Sequence, residues 1–228
     1  MPAISATTGR AIRQEFPQER GKIVIFTICH PNGFYLGLWE KHYNQLGDTR
    51  ILEQSTKDFN AYWDRVNEFQ YRLLRLYDTV IFTSFDEFLV PLKHIVPMMT
   101  ARPTAYHLLD TGEPPLDLTQ PLLAQRQYWI PDESYSKPMI VSEPMEWGFG
   151  GHCKADQEWI PIDPDLYLIH LHRADYQQAL IGHQWYATNP YVGNIQYPIT
   201  EPEFNQWFYE VNSTYRKELI PEDKKYLL

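Results

Sequence analysis

Val80-Ile81-Phe82-Thr83-Ser84-Phe85-Asp86-Glu87-Phe88-Leu89-Val90-Pro91 is the stretch on which the reading of this 228-residue chain turns. Its first part is β-branched and aromatic, the composition of a buried strand. Two adjacent carboxylates follow, and a second short apolar run closes on proline. In parallel α/β sheets the ligand crevice lies outside the carboxyl ends of the strands, so acids at such an end are placed for chemistry. Carboxylate oxygens suit hard divalent cations, which in turn hold diphosphates. Asp86 and Glu87 are also compatible with a solvated strand end that caps a helix.

Upstream, Lys22-Ile23-Val24-Ile25-Phe26-Thr27-Ile28 is a strand bounded by Gly21 and a turn over His30 to Gly33. Phe34 to Tyr43 carries apolar residues at helical spacing, and Gly47 closes that helix. Arg50 to Gln54 is a short strand. A helix over about Asn60 to Leu76 presents Trp63, Val66, Phe69, Leu73 and Leu76 on one face. The order strand, helix, strand, helix, strand predicts an α/β fold, with a mainly parallel sheet flanked by helices and a nucleotide-binding type of first half.

Downstream, prolines from Pro91 to Pro121 interrupt the periodicity. Short strands are expected at Thr104 to Leu108, Lys137 to Val141 and Asp165 to His172, and a helix from Glu203 to Leu219. Residues 1–20 read as a flexible arm, 21–180 as one catalytic domain and 181–228 as an aromatic, helical extension packed on it.

The net charge of −9 argues against nonspecific nucleic-acid binding, which needs clustered Lys and Arg. No apolar run approaches the roughly 20 residues of a bilayer span. Two cysteines cannot form a disulfide framework, and a cytoplasmic location is the simplest expectation. The 16 Tyr, 11 Phe and 7 Trp offer flat faces suited to sugars or bases, and serve equally as plain core.

Two further segments carry chemistry. Trp147-Gly148-Phe149-Gly150-Gly151-His152 joins backbone freedom to an indole and an imidazole; it is either a ligand-contacting loop or an ordinary turn. In Leu168-Ile169-His170-Leu171-His172-Arg173, a strand period of two puts His170 and His172 on one face, as metal ligands or as structural groups.

Together these segments resemble the nucleotide-sugar glycosyltransferases of the GT-A fold, in the family-2-like branch marked by a strand ending in Asp-x-Asp-Glu-Phe before a proline. Thr83 to Pro91 is the match, supported by Leu38-Trp39-Glu40-Lys41-His42-Tyr43, the Trp147–His152 loop and the Leu168–Arg173 strand, over roughly residues 22–180. The resemblance implies a mixed GT-A sheet, with a Rossmann-like nucleotide-binding half and an acceptor half. It also implies a nucleotide-sugar donor, Mn or Mg, and inverting transfer to a carbohydrate or other hydroxyl acceptor.

By the same resemblance Asp86 coordinates the metal together with His170 or His172, and Arg173 pairs with phosphate oxygens. Thr27, Glu53 and Ser84 lie along the donor; Glu87, Trp147 and His152 face the acceptor. The general base comes from Glu143, Glu146 or Asp156, with Glu146 preferred because an adjacent indole raises a carboxylate's pKa. One position departs from the pattern: Ser84 stands where the first aspartate is expected, removing a unit of negative charge. A non-catalytic carbohydrate- or partner-binding descendant of the fold is therefore the alternative, and a metallohydrolase built on Asp86, His170 and His172 is a third reading.

Overall fold

The computed structural model describes residues 22–29, 33–53, 59–148, 160–188, 200–214 and 216–228. It is α/β, with two mixed sheets flanked by helices. The first sheet contains β1 (Ile23–Cys29) between β2 (Asp48–Glu53) and β3 (Thr79–Phe82), both parallel to it. The second contains β4 (Glu87–Val90), β5 (Arg102–Leu109) and β6 (Tyr128–Pro131). The two-residue β7 (Ile140–Val141) returns to pair antiparallel with β3. β8 (Ile162–His170) and β9 (Glu218–Leu219) complete the second sheet in the order β4-β8-β5-β6-β9. That sheet is parallel only at β5–β8 and antiparallel at its other pairings. The mainly parallel character expected of the whole therefore describes the first sheet.

β1 is apolar throughout because both its faces are covered, the reason a central strand reads as a continuous run. Ile23 and Ile25 project to one side with Ile81, where α1 (Leu36–Tyr43) lays Trp39 and Tyr43 over them. Val24, Phe26 and Ile28 project to the other with Val80 and Phe82, beneath Trp63, Val66 and Leu73 of α2 (Phe59–Leu73). Gly47 closes α1 where a Cβ would sit 2.2 Å from the Ile23 carbonyl oxygen, so only glycine lets the chain pass β1. Leu76 lies beyond the end of α2 and is 53% exposed, not on the apolar face expected for it.

The stretch from Val80 to Pro91 divides between two sheets. β3 ends at Phe82, residues 83–86 cross over, and Glu87 opens β4 against β8. A single apolar cluster nevertheless joins Ile25 and Ile81 of the first sheet to Phe88, Leu168 and Leu108 of the second. The boundary drawn at residue 180 falls inside α3 (Tyr176–Thr188). α3 packs with α4 (Glu201–Thr214) through Ala179, Leu180, Phe204 and Phe208. Thr200 and Glu203 exchange side-chain and backbone hydrogen bonds at the start of α4, a capping box. That helix was expected to run to Leu219; instead Glu218 and Leu219 pair with β6. The expected N-terminal arm, 1–20, lies outside the described residues. Among the described residues no helix is long and apolar enough to cross a membrane.

Candidate functional site

The crossover between the sheets is held from several sides. Thr83 N still donates to Phe26 O, continuing the first sheet by one residue. A tight turn follows: Glu87 N donates to Ser84 O at 3.1 Å, and Ser84 N donates back to Glu87 Oε2 at 2.8 Å. β4 is the edge strand of its sheet, and an edge leaves every other residue's N–H and C=O unpaired. Here α1 covers it. Tyr43 Oη donates to Glu87 O at 3.1 Å and accepts from Leu89 N at 2.9 Å, while His42 Nε2 donates to Leu89 O at 2.9 Å. Trp39 Nε1 donates to Thr83 Oγ1 at 2.7 Å, just before the turn. Three polar groups on one helix face thus hold the Thr83 side chain before Asp86 and the backbone of Glu87 and Leu89 after it.

Asp86 keeps 18% of its side chain exposed, and its Oδ2 lies 3.2 Å from His170 Nε2. Its carbonyl accepts from Leu171 N at 2.9 Å, so the β4–β8 pairing reaches past the strand ends and brings His172 alongside. β8 ends at His170 and His172 sits in the following turn. The same-side arrangement expected from a period of two still results: the two rings lie 5.4 Å apart and 29° from parallel. One donor atom each from Asp86, His170 and His172 falls within 4.8 Å of the others.

Burial alone would raise the Asp86 carboxyl, but the neighbouring His170, through charge and hydrogen bond, holds it below the usual carboxylate range. Burial pushes the His172 imidazole well below its ordinary value, with His170 and His183 adding to the effect. At neutral pH the site is an anionic carboxylate beside a neutral imidazole with a lone pair to donate, the form in which both groups bind metal. The cleft above them is rimmed by Phe34, Tyr35, Phe85, Gln178 and His183, and its volume is about 60 Å³.

The other residues named from sequence take varied positions. Cys29 lies opposite Glu53 and Phe26 opposite Phe82, so Thr27, Glu53 and Ser84 share the carboxyl edge of the parallel strands with Asp86. Thr27 is fully buried, Glu53 is exposed and Ser84 half-buried. Glu87, expected to face an acceptor, has no exposed surface at all. Its carboxylate takes Lys137 Nζ at 2.6 Å and Tyr135 Oη at 2.7 Å, because the pleat turns it into the sheet's inner face while Asp86 stays in the turn.

Trp147 is likewise corrected from acceptor contact to core. Its indole is 0% exposed, packs beside Phe26 and Phe82, and donates to Pro138 O at 2.9 Å. The Asn67 amide bonds both its N–H and its carbonyl oxygen, imitating a strand partner. The indole is turned inward, whereas Glu146 and Glu143 are both exposed. Arg173 lies 5.6 Å over the Trp207 ring. His152 and Asp156 lie outside the described residues.

Sequence reasoning missed Tyr135, His107 and His183, which lie against the imidazoles, and Lys137, which pairs with Glu87 beside Tyr135. Lys137 carried the one available signal, a lone cation directly before the buried run Pro138-Met139-Ile140-Val141. No protein-family model matches the chain, and no curated protein matches its sequence.

Proposed function

We propose that this protein transfers a sugar from a nucleotide-diphosphate donor to an acceptor hydroxyl, with a divalent cation held by Asp86, His170 and His172. The observation that carries the proposal is the meeting of one anionic carboxylate and two imidazoles just beyond the carboxyl end of β3. In an open α/β sheet that edge is where nucleotides bind. The GT-A architecture, with a parallel nucleotide half and an antiparallel acceptor half, belongs to the same proposal, as does inversion at the transferred carbon.

The donor set fits a cation, and it favours manganese over magnesium. Imidazole suits borderline metals, whereas magnesium prefers an octahedron of oxygens. A cation bound there would act as a Lewis acid, neutralising charge that builds on the departing diphosphate. Asp86 supplies the anionic oxygen, His172 a neutral nitrogen, and the α1 side chains hold the turn that carries Asp86. A cleft of about 60 Å³ has room for about four to six waters at roughly 10–15 Å³ each. That suits a hydrated cation and the phosphate oxygens that replace its waters. The nucleoside then runs past Phe34 along the edge bearing Thr27 and Glu53. The carboxylates to test as the general base are Glu143, Glu146 and Asp156.

Calorimetric titration of uridine and guanosine diphosphates with Mn²⁺ tests this reading. Binding is expected in the native protein and is expected to vanish in Asp86→Ala; no binding of either nucleotide with any divalent ion would overturn it. Ser84, standing where a second carboxylate is expected, favours a second reading as a carbohydrate- or partner-binding protein. Slow release of nucleotide from a nucleotide-sugar separates the two, since a transferase hydrolyses its donor and a binding protein does not.

A further inference from the structure

Glu87 on β4, His170 on β8 and His107 on β5 are register partners across three neighbouring strands. Register partners project to one face of a sheet, so the three side chains form a row. Tyr135, last residue of the 3-10 turn Glu133–Tyr135, lies over that row. Its ring stacks on the His170 imidazole, 4.9 Å between centroids and 13° between planes, and meets His107 at 5.0 Å and 60°. Its hydroxyl donates to Glu87 Oε1 at 2.7 Å, and Lys137 Nζ sits 4.4 Å from its ring centre. Asp132 anchors the turn: its carboxylate accepts from Tyr135 N at 3.2 Å and from His107 Nε2 at 3.0 Å.

Imidazoles that ligate metals are ordinarily oriented by a hydrogen bond from the second ring nitrogen. Among the described residues His170 has no such bond, its Nδ1 being buried without a partner. With Nε2 facing Asp86, contact on the ring faces is what opposes rotation of the imidazole. We propose that Tyr135 is a positioning residue for the cation centre, its ring face taking the orienting role that a hydrogen bond to His170 Nδ1 would otherwise have. The inference rests on Asp86, His170 and His172 being a cation site. Tyr135 does not touch the cation; it acts through His170, and its hydroxyl serves Glu87 instead.

Two substitutions separate ring from hydroxyl. Tyr135→Phe keeps the stacking face, and Tyr135→Met fills much of the volume without a planar face, with Tyr135→Leu as the substitute should the methionine variant fail to fold. Mn²⁺ affinity is read by calorimetry, and ligand geometry by the visible absorption bands of the Co²⁺-loaded full chain. The phenylalanine variant is expected within about 3-fold of native Mn²⁺ affinity with an unchanged Co²⁺ spectrum. The methionine variant is expected to lose about 10- to 100-fold in affinity, the range seen when groups behind a ligand are removed, with shifted bands. Equal affinity and spectra in all three proteins would overturn the inference, and so would equal losses in both variants, which would assign the effect to the hydroxyl. Failure of the native protein to bind Mn²⁺ or Co²⁺ would overturn the cation site itself, and is seen before any variant is made.

Discussion

Glu87 has no exposed surface and divides one carboxylate oxygen between the Lys137 ammonium and the Tyr135 hydroxyl. Removing one member of such a buried pair strands the other charge, which costs about 3–5 kcal/mol, whereas replacing both by apolar groups is often neutral. Lys137→Met is therefore expected to lower unfolding free energy by about that amount in urea denaturation, and Lys137→Met with Glu87→Leu to recover much of it. A double variant no more stable than the single one would contradict a simple ion pair. Burial on its own would raise the Glu87 carboxyl, but Lys137 and His170 more than offset it and hold it down at about 2. A folded-state value below the unfolded one means that the group stabilises at higher pH. This contribution should be intact above about pH 4.5 and fade as pH falls toward 2, and Lys137→Met should flatten that acid limb of the stability curve.

At the scale of elements, α1 is more than a cover for β1. Its His42 and Tyr43 side chains satisfy outward backbone groups of Glu87 and Leu89, and Trp39 holds the Thr83 hydroxyl, where the chain leaves one sheet for the other. Tyr43→Phe keeps the ring's packing against Trp39 and Phe88 but removes the donor to Glu87 O and the acceptor for Leu89 N. A buried group left unsatisfied costs roughly 1–3 kcal/mol, so that loss is expected in chemical denaturation. A looser turn should also weaken Mn²⁺ binding several-fold; full stability in this variant would mean that the edge of β4 does not depend on the helix. The apolar positions of α1 were legible in the sequence from their spacing. That its polar residues reach the next strand unit was not, because the contacts join residues more than 40 positions apart.

For the whole molecule, a cation that binds only the folded chain raises its stability by mass action, about 2.7 kcal/mol at 100 times the dissociation constant. In a chain of this size that corresponds to a rise in Tm of about 5–10 °C. A thermal-shift series should show a larger rise with Mn²⁺ than with Mg²⁺ at equal concentration, and EDTA should abolish it; equal responses would count against imidazole ligation. The sequence by itself determined the five alternating elements of the first half, because a buried parallel strand and an amphipathic helix carry distinct apolar periods. It also singled out Asp86 and the two histidines two residues apart, which the fold brings within 4.8 Å of one another. Which neighbouring acid faces the cleft was decided only by tertiary structure: a one-residue step along the pleat sends Glu87 to Lys137 and leaves Asp86 beside His170. The same holds for Trp147, whose glycine-rich surroundings suggested an exposed loop until Asn67 and the first sheet enclosed it. Local spacing reports which residues share a face, whereas which face meets water depends on partners far away in the chain.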